Sequence, residues 1–257
     1  MKIVSWNING IKARQPYLEL FLDTHSPDVL CIQELKSETE NVPTDIFTSR
    51  GYEVAIHGQK SWNGVMIASK YPISDVVMGL PDNGHEDQSR LIAAHIEGMT
   101  IVNLYCPQGQ TADSDKFAFK KRFYDRLIQW VSDTFTTAEP LILTGDFNIA
   151  PYPEDVYDPV YWEGRPTRHP EELERWARLL EWGLMDVGES HIGKGTFSFW
   201  DYRGMAFRYG KGLRIDHFLG TASIAARVDS AAVVRDFRRK KEGLTASDHA
   251  PVELLLK

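Results

Sequence analysis

The chain is punctuated by short apolar runs, and several of them stop abruptly on a carboxylate, an amide or a phenol. The stretch LILTGDFNIA, residues 141–150, is the clearest case: an apolar run, then Gly145, Asp146, Phe147 and Asn148. Runs of about four to eight residues, rich in branched apolar side chains and bounded by turn residues, predict strands buried on both faces. They fall at 2–6, 28–33, 52–57, 64–69, 91–96, 100–105, 140–145, 214–219, 227–235 and 250–256. Between them lie segments with helical spacing. QPYLELFLDTH is one, and DKFAFKKRFYDRLIQWVSDTF is a long second, with Phe119, Phe123, Leu127 and Trp130 on one side. PEELERWARLLEWG opens on Pro170 with acids behind it and closes at Gly183, the expected helix punctuation. The alternation predicts a single mixed α/β domain over residues 1–257, with sheets packed together and helices outside. Residues 151–170 carry five prolines and no periodicity, and read as a functional loop.

Composition narrows the function. The net charge of −7 argues against a protein that coats nucleic acid by charge alone. It leaves room for an enzyme that grips a few phosphates locally, and for acids that hold a metal. Cys31 and Cys106 each sit in an apolar run, with no zinc-type spacing, as expected of reduced core thiols. No run reaches membrane-spanning length and no leader pattern opens the chain, so a cytoplasmic protein with no membrane partner is expected.

The polar strand ends are the candidate site. Asn7 and Asn9 follow KIVSW, Glu34 follows DVLCIQ, Tyr105, Pro107 and Gln108 follow TIVNL, and Asp146 and Asn148 follow LILTG. Strand ends share an edge of a layered sheet, where ligand crevices form. Each group alone reads more simply as a turn residue or a solvated end. Their recurrence favours a shared site. TASDHAPVELLLK sets Ser247, Asp248 and His249 directly before the last strand, and GLRIDHFLG sets Asp216 inside an apolar run. A buried carboxylate is costly unless paired. His249 is the expected partner; a structural pairing with Arg214 or Arg203 is the alternative. His217, the neighbour, points to the opposite face.

Glu34, with Asp248 and the Asn7 amide, offers hard oxygen ligands that suit Mg²⁺ or Mn²⁺ better than zinc. Asp146 is placed to take a proton from water. Asn148, Tyr105 and His249 can donate to phosphate oxygens as charge builds. Together these residues describe a phosphodiester-cleaving site.

The motifs IVSWNING, DVLCIQELK, WNGVMIAS, IVNLYCPQG, LILTGDFNIAP, FSFWDYRG, GLRIDHFL and SDHAPV stand in one order from residue 3 to residue 252. In that series the chain resembles the exonuclease III family of abasic-site endonucleases, within the endonuclease/exonuclease/phosphatase superfamily. The resemblance implies a DNase I-like four-layer α/β sandwich, two packed mixed sheets flanked by helices. It implies a divalent-metal, Mg²⁺- or Mn²⁺-dependent DNA-repair nuclease that cuts 5′ to abasic sites, removes 3′-blocking groups or trims 3′ nucleotides. The expected partner is double-stranded DNA with an abasic site, nick or blocked 3′ end, and the expected state is a monomer.

On that pattern Glu34 resembles the main metal ligand, with Asn7 and Asp248 near the ion. Asp146 matches the water-activating acid, Asn148 and Tyr105 the phosphate contacts, and Asp216 with His249 the Asp–His pair. Phe199, Trp200 and Leu213 match an apolar pocket for a flipped-out abasic sugar, which is small enough to leave the helix cheaply. Asn63 matches a position near the DNA backbone, though an Asn-Gly turn explains it too. Gln108 stands where many members carry Asn. The segment WEGRPTRHPEELERW departs from the family by introducing Arg165, Arg168 and His169, expected either to contact DNA phosphates or to crowd the abasic pocket. Basic residues cluster at 116–122, 207–214 and 235–241 and are candidate duplex contacts. Two alternatives stand beside this reading: a superfamily phosphatase acting on non-DNA phosphates, and a catalytically silent DNA-binding relative.

Overall fold

Strands that are apolar on successive residues need cover on both faces. The computed structural model, which describes residues 1–81 and 88–257, supplies it with two stacked six-stranded sheets and helices on each outer face. In chain order the elements are β1 (Lys2–Asn7), α1 (Gln15–His25), β2 (Val29–Gln33), α2 (Asp45–Thr48), β3 (Glu53–His57), β4 (Val65–Ser69), β5 (Ser74–Met78), β6 (Leu91–Ile96), β7 (Met99–Tyr105), α3 (Asp115–Thr134), β8 (Leu141–Asp146), α4 (Pro159–Trp162), α5 (Pro170–Trp182), β9 (Met185–Asp186), β10 (Asp216–Gly220), α6 (Ala222–Ala225), β11 (Val228–Val233) and β12 (Val252–Leu256). One sheet runs β11-β12-β1-β2-β4-β3 and the other β5-β6-β7-β8-β10-β9. Both are mixed: β1 with β2 and β7 with β8 are parallel pairs among antiparallel neighbours. The molecule is the four-layer α/β sandwich expected.

Alternation within each strand builds the layers. Ile3, Cys31, Ile67, Ile101, Ile142, Phe218 and Leu254 meet between the sheets. Val4, Trp6, Leu30 and Ile32 face outward onto Leu18, Phe21 and Leu22 of α1. Leu104, Leu141 and Leu143 face outward onto Tyr124, Leu127 and Val131 of α3 and Trp176 and Leu179 of α5.

Three expectations need correction. β10 begins at Asp216, not residue 214. The amide of Arg214 donates to the Asp155 carbonyl, at 2.8 Å, and that of Ile215 to Ser198 Oγ, at 3.2 Å, so neither joins the ladder. On α3 the buried face is Phe117, Lys120, Phe123, Tyr124, Leu127, Ile128, Trp130 and Val131; Phe119 is half-exposed and lines a surface groove. β5 and the two-residue β9 were not foreseen. Every residue of β5 is exposed, so it leaves no burial pattern to read.

Candidate active site

Parity carries polar groups into the gap between the sheets. Asn7 shares a strand face with Ile3, Asp146 with Ile142, and Asp216 with Phe218, so each points inward at its strand end. Register brings them together. Asp146 pairs with Tyr105 across the parallel β7–β8 ladder and with Asp216 across the antiparallel β8–β10 ladder. Because β10 runs the other way, its first residue meets the last residue of β8. At this rim the inner faces hold carboxylates, amides and a phenol in place of aliphatic side chains.

Asp146 is the centre. Its Oδ2 accepts from Asn7 Nδ2 at 2.9 Å, and its Oδ1 accepts from the Asn148 backbone at 3.0 Å. His249 Nε2 lies 3.7 Å from Oδ2, and His249 Nδ1 is 2.9 Å from Asp216 Oδ2. The Phe199 ring packs on the imidazole with centroids 4.8 Å apart. Asp216 therefore partners His249, as expected. Arg214 is committed to Asp155 and Asp186, and Arg203 to Asp201. His217 points the other way, with Nε2 on the Ile149 carbonyl at 2.8 Å.

The electrostatics follow from burial. Desolvation drives the Asp146 carboxyl up to about 7, against the pull of the nearby imidazolium and the Asn7 amide. Desolvation pulls His249 down, but Asp216 and Asp146 outweigh it and lift the imidazole to about 10. Burial, reinforced by the charges of Glu34 and Asp146, raises the Tyr105 phenol well above its ordinary value, so it remains a donor.

Ligand atoms of Asp146, Asp216 and His249 all lie within 4.8 Å of one another. A protonated imidazole has no lone pair to offer a metal. The trio therefore reads as a proton-handling unit, and a candidate cation site lies beside it. Glu34 Oε1 is 2.9 Å from Lys36 Nζ, Lys36 Nζ donates to Asn9 Oδ1, and Asn9 Nδ2 reaches Asp248 Oδ1 at 3.0 Å. An ammonium thus neutralises Glu34 among hard oxygen donors. Those donors fit a divalent cation, with Glu34 and Asp248 as carboxylate ligands and Asn7 Oδ1, which accepts from the Asn9 amide at 3.0 Å, offering its second lone pair. Asn9 (φ 50°), Glu34 (φ 59°) and Asn148 (φ 52°) all hold left-handed backbone, costly conformations that gather at functional sites.

One cavity of about 550 Å³ is lined by Asn7, Glu34, Tyr105, Gln108, Asp146 and Asn148 together with Phe199, Leu213, Asp248 and His249. Asn63 borders an adjoining groove of about 420 Å³ that shares Glu34, Tyr105 and Gln108. With φ 54° before Gly64 at 87°, it also serves the turn that was the simpler reading.

Other candidates lie elsewhere. Trp200 is buried in a cluster with Ala206, Ala250, Phe197 and Phe207, beneath Gly212, where an added Cβ would come within 2.4 Å of its indole nitrogen. It supports the pocket from behind and does not wall it. His169 caps α5, its ring stacked edge-on against Phe117 at 4.8 Å, and Arg165 lies over the Tyr161 ring. Arg168 Nη1 donates to the Ala150 carbonyl. None of these three lines the cavity; from their loop it is Thr167 that does, with Trp162 of α4 beside it. The basic clusters divide: Lys120, Arg214 and Arg238 are buried inside the fold, while Lys116, Arg122, Arg208, Lys211, Arg235, Arg239 and Lys240 are exposed. Lys36, Trp162 and Thr167 were not singled out from the sequence. Thr167 in particular lies in a loop with no periodicity to mark it.

An α/β sandwich whose rim joins a buried Asp–His pair to hard oxygen donors is suited to phosphoester hydrolysis. The chain matches the endonuclease/exonuclease/phosphatase family over residues 4–249, and it belongs to that family. Exodeoxyribonuclease III of Haemophilus influenzae is 34% identical over 98% of each chain, which sets this enzyme among the exonuclease III-type nucleases. The structure is similar to that of 3′ phosphatase NExo (D146N) from Neisseria bound to product DNA hairpin, with TM-score 0.94 and 35% identity over 100% of this chain and 99% of that one. It is also similar to an AP endonuclease from Archaeoglobus fulgidus, with TM-score 0.92 and 32% identity over 100% and 99% of the two chains.

Proposed function

We propose that the protein is a Mg²⁺- or Mn²⁺-dependent DNA-repair nuclease, a cytoplasmic monomer that works chiefly on 3′ ends of duplex DNA, removing 3′ phosphates and terminal nucleotides. The observation that carries this reading is the pairing of Asp146 with His249 on the floor of a cavity that Glu34 and Asp248 border. A bound divalent ion, held by Glu34 with Asp248 and Asn7, supplies charge neutralisation for the phosphate and the leaving oxygen. Asp146, poised near neutrality, takes the proton of the attacking water. Asn148 has one amide hydrogen on the Cys106 carbonyl, at 2.9 Å, and a second free for a phosphate oxygen. The His249 imidazolium and the Tyr105 hydroxyl donate to the other oxygens, and Asp216 fixes the imidazole tautomer.

The preference for 3′ ends rests on the likeness to a 3′ phosphatase. Phe199, Leu213 and Trp162 pack as one apolar cluster on the wall of the cavity, which Thr167 also lines. The test compares two labelled duplexes, one with a 3′ phosphate at a nick and one with an internal abasic site, each with Mg²⁺ and with EDTA. Faster release from the 3′ phosphate, abolished by EDTA, is expected. Faster abasic incision would overturn the preference, and full activity in EDTA the metal requirement.

A further inference from the structure

Lys120 and Glu172 are both fully buried, on α3 and α5, behind the active-site cavity. Their side chains form an ion pair. The ammonium also donates to the Asn148 carbonyl at 2.7 Å and to the Gln108 carbonyl at 3.3 Å, so three partners meet its three hydrogens. Glu172 Oε2 accepts from the backbone of Thr167 at 2.8 Å and of His169 at 3.0 Å. One ion pair thus holds the backbone of three separate loops, and each loop lends a residue to the cavity wall: Gln108, Asn148 and Thr167.

The surroundings show how closely the loops are held. A Cβ added at Gly109 would come within 3.1 Å of the Phe117 ring and 3.3 Å of the Lys120 stem. The Ala150 amide donates to the Thr167 carbonyl at 2.9 Å, tying two of the loops together. Asn148 sits at φ 52° and Thr167 at φ 91°, and a β-branched residue there is an outlier. Such backbone persists only where its neighbours over-determine it. Stability alone does not account for the pair, because a buried ion pair gains little over apolar residues of equal volume.

We infer that Lys120 and Glu172 are positioning residues that hold the Gln108, Asn148 and Thr167 loops in register with Asp146. This rests on the reading of Asn148 as a phosphate contact. The pair touches no substrate; it fixes where the donors stand, and misplacing such a group by about an ångström can cost on the order of 10²-fold in rate.

The test is steady-state kinetics on a 3′-phosphate duplex with Mg²⁺, per folded molecule. The enzymes are wild type, the volume-matched double variant Lys120→Met with Glu172→Gln, the single variant Glu172→Gln, and Asn148→Ala. The double variant is expected to fold, to lose at least about tenfold in kcat, and to change KM much less. Glu172→Gln, which keeps an acceptor for the loop amides, should lie between it and wild type. It carries the test if the double variant does not fold, with a kcat loss of at least about threefold expected. A slow Asn148→Ala beside a folded double variant with wild-type kcat overturns the positioning role alone. The same holds for a wild-type kcat in Glu172→Gln if the double variant does not fold. Wild-type turnover in Asn148→Ala overturns the phosphate grip, and the positioning role with it.

Discussion

At Asp146 and His249 an acid and a base hold each other in unusual charge states. Burial keeps the Asp146 carboxyl up to about 7, and Asp216 and Asp146 keep His249 protonated to about 10 against the same burial. On the proposed mechanism, turnover needs Asp146 deprotonated and His249 cationic. The expected kcat/KM profile therefore rises with pH through about 7 and falls through about 10. The two limbs belong to the pair, since the groups titrate together. His249→Asn should remove the alkaline fall, and a flat profile from acid to alkaline pH would contradict the assignment. Linkage gives the same pair a stability signature. With its folded value raised, His249 contributes stability that is complete below the unfolded value of roughly 6.5. That contribution is lost as pH climbs through about 10.

At the level of elements, the site depends on the fit of β7 against β8. Gly145 lies opposite Leu104 at φ 135°, and an added Cβ would sit 2.0 Å from the Leu104 carbonyl oxygen. Gly145→Ala should force the strands apart beside Tyr105 and Asp146. It should cost at least about 3 kcal/mol, roughly 6–12 °C in melting temperature, with turnover falling further than stability. Calorimetry with an activity assay checks both. The central strands were legible because they are apolar on both faces, which singles out a strand between two layers. β5 was not, since none of its residues is buried. The start of β10 was misread because Leu213 and Ile215 continue an apolar alternation while the backbone has already left the sheet. Phe199 and Trp200 look alike in sequence. Packing against His249 in one case and beneath Gly212 in the other separates wall from support.

For the whole molecule, charge is the informative quantity. The sequence shows three basic clusters; folding buries Lys120, Arg214 and Arg238 and leaves most of the other cations at the surface of a molecule whose net charge is −7. Linear clustering says nothing about which cations face out, and Lys120 sits at the centre of one cluster yet is fully buried. With acids outnumbering bases overall, duplex binding should use few phosphate contacts, gathered locally. The slope of log K against log salt is expected between about −2 and −4. A slope near −8 would mean that the exposed basic clusters grip the duplex together despite the acidic net charge.

What folding does achieve is convergence: Asn7, Glu34, Tyr105, Asp146, Asn148, Asp248 and His249, spread over most of the chain, line one cavity at one rim. The most direct measurement of what they do there is single-turnover hydrolysis of a 3′-phosphate duplex by Asp146→Asn with saturating Mg²⁺. The expected result is a loss of about 10² to 10⁴ in rate, with DNA binding and melting temperature close to wild type. A rate within a few-fold of wild type would mean that water is activated elsewhere.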